Sequence, residues 1–221
     1  KIKIQYKRRN EVKTDKLISA KFVIFAAISI ALGFGCGTAP THSGFLQNYS
    51  KLQVDPEDES LLWYEEKDVD WKRYKKVMID PVVIYFHKDA KNQQIEPGVL
   101  KELTDYFRAV AIEEVEKVCP VVEERGPDVL RIRAAITELI PASPAVNLIT
   151  TAGIGLPLDM GGAAMEAEFL DSMTSEPLGA VIDGKEGDIN VLKGFTTWGY
   201  AKGAFRDWAE LLRESLEYTY K

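Results

Sequence analysis

The stretch Val129 to Leu139, VLRIRAAITEL, constrains the fold more than any other part of the chain. Leu130, Ile132, Ala134 and Ile136 fall on one side of the alternation, and Arg131, Arg133 and Thr137 on the other. Successive side chains of a strand point to opposite faces, so this period of two calls for a sheet with one apolar face. Met165, Ala167 and Phe169 alternate in the same way with Glu166 and Glu168. If these two strands pair antiparallel, Arg131 and Arg133 lie across from Glu166 and Glu168 on the solvated face. Each such cross-strand pair contributes about 0.2–1 kcal/mol. The four charges therefore read as structural pairs on a wet sheet face rather than as a catalytic cluster. DSMTSEPLGAVID, from Asp171, follows as a turn and a further strand that closes a hairpin.

The flanking segments supply the other layers. Lys76 to Phe86, KVMIDPVVIYF, is β-branched and aromatic and reads as one strand, with Pro81 calling for an edge position or a bulge. From Glu96 to Val118 the residues Leu100, Leu103, Phe107, Val110, Ala111, Val115 and Val118 recur at helical spacing, with Pro97 in the first turn. Ala201 to Tyr218 forms a last amphipathic helix with Phe205, Trp208, Leu212 and Leu216 inward. Strand, helix, a run of strands and helix predict an α+β fold: a mainly antiparallel sheet with two amphipathic helices packed on one face.

Ahead of this body the chain changes character. Residues 1–35 carry eight Lys or Arg against Glu11 and Asp15, a balance of +6, so residues 36–221 carry −12 of the net −6. The apolar run Phe22 to Phe34 covers about 20 Å as a helix, against roughly 30 Å for a bilayer core. It has the length of a signal-peptide apolar region, and the basic stretch ahead of it keeps that end cytoplasmic. Gly33 and Gly35 loosen the helix just before Cys36. The order of basic, apolar and small residues followed by cysteine resembles a bacterial lipoprotein signal. The resemblance implies cleavage before Cys36 and acylation there, with the membrane held through N-terminal acyl chains. An uncleaved anchor and a buried core cysteine are the alternatives. Gly37 after the cysteine favours the outer membrane over the inner. The organisation expected is a signal peptide over 1–35, a tether and extended acidic segment over 36–71, and a single periplasmic domain over 72–221. Phe45, Leu46, Tyr49, Leu52, Trp63, Tyr64 and Trp71 punctuate the tether as apolar pegs, which either dock it on the domain or offer a strip to a partner.

Chemistry is sparse. An acidic body does not bind nucleic acid, since affinity for phosphate backbones needs clustered Lys and Arg. Cys36 and Cys119 are far apart, and His42 and His87 are isolated, so no zinc site can be drawn and no cofactor or metal is expected. TAGIGLPLDMGG, Thr151 to Gly162, lacks the Gly-Lys-Ser/Thr of a phosphate loop and the spacing of a dinucleotide fingerprint. It reads as a mobile loop between strands. Leu148, Ile149, Ile154, Leu156, Leu158 and Met160 make it the first candidate for a surface touching a partner or lipid. Ser43 and Ser172 have no nucleophile-elbow context, and Asp80, Asp171 and Asp183 fit turn bonding better than a paired acid and base.

SGFLQNYSKL, YKKVMIDPVVIY, PDVLRIRAAIT, EAEFLDSMTSEPLGAV and a terminal WAELL occur in this order. Together they resemble the bacterial lipoprotein family of unknown function DUF3313, over most of residues 43–212. The resemblance implies a periplasmic domain on a membrane anchor and brings no catalytic mechanism with it. The expected function is a lipid-anchored outer-membrane lipoprotein of a Gram-negative bacterium. It would be non-enzymatic and bind another envelope component, protein or glycan, through Ile154, Leu156, Leu158 and Met160 or through Phe45 and Tyr49. The alternative is a hydrolase or small-ligand domain using acids near Asp171 and Asp183, and a third reading is a passive structural lipoprotein.

Overall fold

The computed structural model describes residues 42–56, 58–90, 94–154, 159–186 and 196–220. Seven strands form one sheet. They are β1 (Gln53–Val54), β2 (Leu61–Glu65), β3 (Lys76–Ile79), β4 (Val83–Ile84), β5 (Val129–Ile140), β6 (Gly162–Asp171) and β7 (Pro177–Glu186). The helices are α1 (Pro97–Val115), α2 (Pro144–Ile154) and α3 (Gly199–Tyr220). Strand order is β1-β2-β7-β6-β5-β3, with β4 also on β5. All pairings are antiparallel except those of β3 and β4 with β5. A parallel neighbour cannot be reached by a hairpin, and α1 is the crossover that carries the chain from β3 and β4 back to β5.

The two alternating runs become β5 and β6, paired from Leu130↔Asp171 to Ile140↔Gly162 with a bulge between Ile136 and Glu138. The single strand expected over 76–86 divides at Asp80–Pro81. Asp80 N–H still reaches the Ile132 carbonyl at 3.0 Å, and Tyr85 N–H resumes on the Ile136 carbonyl at 2.9 Å. Pro81, having no N–H, sits in the gap on the free edge of the sheet, where a missing rung costs least.

One face of the sheet is covered by α1 and α3. Leu103, Phe107, Ala111 and Val115 recur every three or four residues on α1 and are buried, as are Ala201, Phe205, Trp208, Ala209 and Leu216 on α3. Phe107 and Phe205 stack with centroids 4.7 Å apart, and Trp208 closes on both at 5.7 and 5.9 Å. Beneath this trio lie Leu61, Ile136, Met165, Ala167 and Val181 from four strands. Each fully buried side chain of this size contributes about 1.5–3 kcal/mol.

The other face is covered as well, by the chain's own residues 42–52. Leu46 is buried with Leu62, Tyr64, Ala180 and Ile182, and Phe45, Tyr49 and Leu52 pack around them. The segment expected as tether thus belongs to the domain. Its continuation supplies β1 and β2, the latter paired with β7 from Leu61↔Asp183 to Glu65↔Gly179. LLWYE shows no alternation because both of its faces are covered. Leu61 and Trp63 face the helices, and Leu62 and Tyr64 face the strap. A domain boundary at residue 72 is therefore too late. Trp71 lies in a single 3-10 turn, buried, with its indole N–H 2.5 Å from a Glu65 carboxylate oxygen.

The aromatic trio should dominate stability. Truncating Phe205 (Phe205→Ala) is expected to cost about 3–5 kcal/mol in denaturant unfolding, with a lower midpoint and an unchanged slope. A loss within 1 kcal/mol would show that the helix layer is not packed as described.

Candidate functional site

The four cross-strand charges do not lie on a wet face. Glu166 and Glu168 are fully buried, and the strap closes over them. Ser43 N–H donates to Glu166 Oε1 at 2.7 Å and the Tyr49 hydroxyl to Oε2 at 2.6 Å. Gln47 N–H donates to Glu168 Oε1, and Arg133 Nη1 reaches Glu168 Oε2 at 3.0 Å. Arg133 faces Glu168 across the β5–β6 ladder, whereas Arg131 opposes Leu170 and turns to Asp80, with Nη2 to Oδ2 at 2.6 Å. Glu166 opposes Ala135. Burying a carboxylate is tolerable only when donors replace its water, and the strap's N–H groups do so here. Gly44 N–H and Leu46 N–H both donate to the Tyr49 hydroxyl oxygen, at 2.8 and 3.1 Å, which aims the phenol at Glu166. Burial, then the hydrogen bond to Glu166, raises the Tyr49 hydroxyl above its ordinary range. Phe45 lies under the Arg133 guanidinium, 4.8 Å from the ring centroid, and beside Tyr85. Phe45 and Tyr49, candidates for partner contact, are thus placed against the chain's own sheet.

The acids of the hydrolase alternative are not brought together. Met165 is the partner of Asp183, and Asp171 lies six residues further along β6, about 20 Å away at the rise of a strand. Asp171 organises the β6–β7 turn. Its Oδ1 accepts Met173 N–H and Thr174 N–H, both at 2.9 Å, and its Oδ2 takes the Tyr74 hydroxyl at 2.9 Å and the Arg73 guanidinium. Burial alone would raise the Asp171 carboxyl; the two turn N–H groups, Tyr74 and Arg73 outweigh it and hold the group below its usual range. Tyr74, buried and bonded to that carboxylate, is pushed up to about 12. Asp183 moves the other way. Burial raises it, although Lys185 and the Trp208 indole N–H, 2.7 Å from Oδ2, pull it down. It borders a cavity of about 120 Å³ between sheet and helices, whose walls include Trp63, Phe107, Met165 and Val181. Cys119 is buried and burial pushes its thiol up, which makes it a packing residue. Among the described residues no group of three metal-ligating side chains assembles.

The stretch read as a mobile loop is in part a helix. Ile140 and Gly162 are ladder partners, yet the described residues between them, 141–154 and 159–161, are in no strand, and α2 occupies 144–154. The neck is narrow. A Cβ on Gly161 would come 2.5 Å from the Ile140 carbonyl oxygen, so its glycine serves close backbone approach rather than a phosphate. Above the neck α2 is held mainly through Asn147, which is fully buried. Its Nδ2 donates to the Asp159 carbonyl at 2.8 Å, and its Oδ1 accepts Asp159 N–H at 2.9 Å. The Asp159 carboxylate takes Ser143 N–H at 2.9 Å, closing the base. Val146, Leu148, Ile149 and Met160 stand 43, 60, 72 and 41% exposed. The helix sequence PAVNLITTAGI contains no charge. Large apolar side chains scattered singly need no explanation; here three stand on one uncharged helix, with Met160 exposed at its foot. Of the contact residues expected in this stretch, Met160 is exposed at the foot of α2, between Asp159 and the neck glycine. The side chain of Ile154, together with Leu156, Leu158 and Cys36, lies outside the described residues. Val146 and the Asn147–Asp159 clamp escaped the sequence reading, and a lone asparagine inside an apolar run was their only signal.

Two substitutions check these roles. Tyr49→Phe removes a hydrogen bond to a buried carboxylate and is expected to cost about 1.5–3 kcal/mol, with faster amide exchange at Ser43 and Gln47. Unchanged exchange there would mean that the strap is held by its apolar pegs alone. Asp171 contributes stability that is present above the carboxylate's unfolded pKa and is lost as pH falls through its depressed folded value. Asp171→Asn should therefore be less stable than the parent at neutral pH and lose less on acidification. Parallel stability profiles from pH 7 to pH 2 would contradict this.

Comparison with known proteins agrees with a family of open function. The chain is 24% identical to the uncharacterized lipoprotein YdcL of Escherichia coli K12, over 75% of this chain and 84% of that protein. The same figures hold for its counterpart in Escherichia coli O157:H7. Among solved structures, the PelC dodecamer of Paraburkholderia phytofirmans matches with a TM-score of 0.42 and 8% identity, over 71% of this chain and 96% of that one. Protein XCC0632 of Xanthomonas campestris gives 0.39 and 11%, over 66% and 85%. Likenesses this loose carry no argument about function. The family model for the protein of unknown function DUF3313 matches residues 41–212, and the chain belongs to that family.

Proposed function

We propose that this chain is a lipid-anchored envelope lipoprotein, held by acyl chains on Cys36, whose domain is a non-enzymatic binding module for another envelope component. The observation that carries the binding half is the apolar tip of α2, raised from the sheet on a narrow neck. The anchor half rests on the leader that ends at Cys36 and on the family relative named as a lipoprotein. No helix among the described residues is long and apolar enough to cross a membrane. Gly37 after the cysteine supports an outer-membrane address, with the domain facing the periplasm. The non-enzymatic reading is supported by the separation of Asp171 from Asp183 and by the occupation of both carboxylates within the fold. The strap narrows the binding surface, because Phe45 and Tyr49 are engaged with the sheet and α2 is left as the contact.

The two halves are tested separately. Cys36→Ser should keep its precursor mass and take up no labelled fatty acid, and a parent that behaves the same way would refute the anchor. Photoreactive side chains at Leu148, Ile149 and Met160 in growing cells should each give an adduct, while one at Met173, exposed at the opposite end of the sheet, should not. A contact surface on α2 does not survive if the three positions yield nothing beyond the Met173 background.

A further inference from the structure

We infer that the envelope component met by the α2 tip is the lipid surface itself: α2 lies in the bilayer interface as a second attachment beside the acylated Cys36. This rests on the reading of the chain as an anchored binding domain, and it names the partner of that domain's exposed surface.

The argument begins with reach. The described chain enters over the sheet at Ser43, bonded to Glu166. Ser43 is seven positions after Cys36, and seven steps of extended chain span at most about 25 Å. Along β6, Gly162 at the α2 end is four residues from Glu166, and Asp171 at the turn end is five residues away. These are about 13 and 17 Å at the rise of a strand. An anchor on Cys36 therefore confines the bilayer to the neighbourhood of the sheet and allows either end to face it.

Both ends carry exposed charge, with Glu59, Lys88, Asp89 and Glu186 at the α2 end. What distinguishes them is the uncharged helix inserted beyond the last ladder pair, Ile140 and Gly162. The turn end carries exposed Glu123, Glu124 and Arg125, the Lys76–Asp128 pair at 3.1 Å, and the Arg73–Asp171 pair. Bringing it to hydrocarbon would strip water from all of these. At the opposite end α2 projects with no charged residue in its eleven, and its outward positions include Val146, Leu148 and Ile149, joined by Met160. Of its polar side chains, Asn147 is turned inward and satisfied by Asp159, and the Thr150 hydroxyl donates to the Asn147 carbonyl at 3.3 Å. Residues 36–221 carry −12, so attraction to anionic headgroups contributes nothing and the contact is one of apolar insertion. A short helix with an apolar face buries 5–10 Å into the interface in this way, and one added contact strengthens an acyl anchor without replacing it.

The test uses the full chain extracted from membranes and reconstituted into vesicles of phosphatidylcholine and phosphatidylethanolamine. An environment-sensitive fluorophore is placed on Ile149→Cys, or on Met173→Cys as the control, in a Cys119→Ala background. At position 149 the emission should shift to the blue, be quenched by lipids carrying nitroxide on the acyl chain, and resist aqueous iodide. It should not change between low salt and high salt. The label at 173 should stay in water throughout. The lipid assignment is overturned if the two labels are equally accessible to iodide. In that case, adducts to an envelope protein or glycan from Leu148, Ile149 and Met160 in cells would leave the binding-domain reading standing. Absence of any adduct would remove both. Blue-shifted emission at 149 that disappears in high salt would also overturn apolar insertion, since it would mean a charge-held contact.

Discussion

The burial of two carboxylates on one strand governs how this sheet is finished. The odd positions of β6, Ala163, Met165 and Ala167, pack into the helix layer, while Glu166 and Glu168 point the other way and are fully covered. A carboxylate without water needs donors, and the sheet offers Glu168 one, Arg133. The remainder comes from backbone: Ser43 N–H and Gln47 N–H, with the Tyr49 hydroxyl added. These bonds fix the course of residues 43–49, and the fixed strap delivers Leu52 to the sheet and the chain to β1 and β2. The outer strands of one side are thus set by charges in the middle. A buried charge held by its neighbours is weak evidence for net stability. It is stronger evidence for a single course of the chain, because any shift of the strap leaves a buried acceptor unpaired.

The opposite layer works by area rather than by direction. Phe107, Phe205 and Trp208 fill the space over Met165, Ala167 and Val181, and the Asp183 carboxylate is met by the Trp208 indole N–H. Such packing tolerates small adjustments of angle and register that the strap does not. The molecule therefore has an apolar side that supplies most of the stability and a polar side that specifies where the N-terminal segment lies.

Much of this was legible in residue order, and what failed did so for identifiable reasons. The β5 and β6 strands, α1 and α3 were readable because each has one buried face and one wet or polar face, so their periods show in the sequence. The strand β2 was not, since both faces of LLWYE are buried and the acids around it imitate a tether. Glu166 and Glu168 alternate with apolar residues as solvated charges do. Alternation reports that two faces differ, not that one of them is wet, and the chain that covers them comes from more than 110 residues away. At Pro81 the options of edge and bulge were both on the page; the structure puts a break there. In the contact stretch the apolar composition was visible, but its helix was hidden by Gly153, which lies inside it, and by Gly161, which belongs to the neck.

The neck makes the strongest case that α2 is present for a purpose outside the fold. Ile140 and Gly162 are already paired, so a tight hairpin would join β5 to β6 directly. Twenty-one residues, 141–161, stand there instead. Loop length is thermodynamically cheap, with each doubling adding about 0.6 kcal/mol of closure entropy, so an insertion of this size costs the sheet about 2 kcal/mol. The described residues of the insertion return little of that: none belongs to a core cluster, Ala142 is buried at its start, and Asn147 is the one fully buried residue among those described in the helix. The described part of the helix buries its asparagine and presents Leu148 and Ile149 outward. The clamp to Asp159 then has a clear physical role, because it fixes the helix at its base while leaving the apolar side open. A segment built in this way is stabilised by whatever it touches outside the chain, and if acyl chains on Cys36 hold the domain within about 25 Å of a bilayer, as proposed, the nearest such surface is lipid.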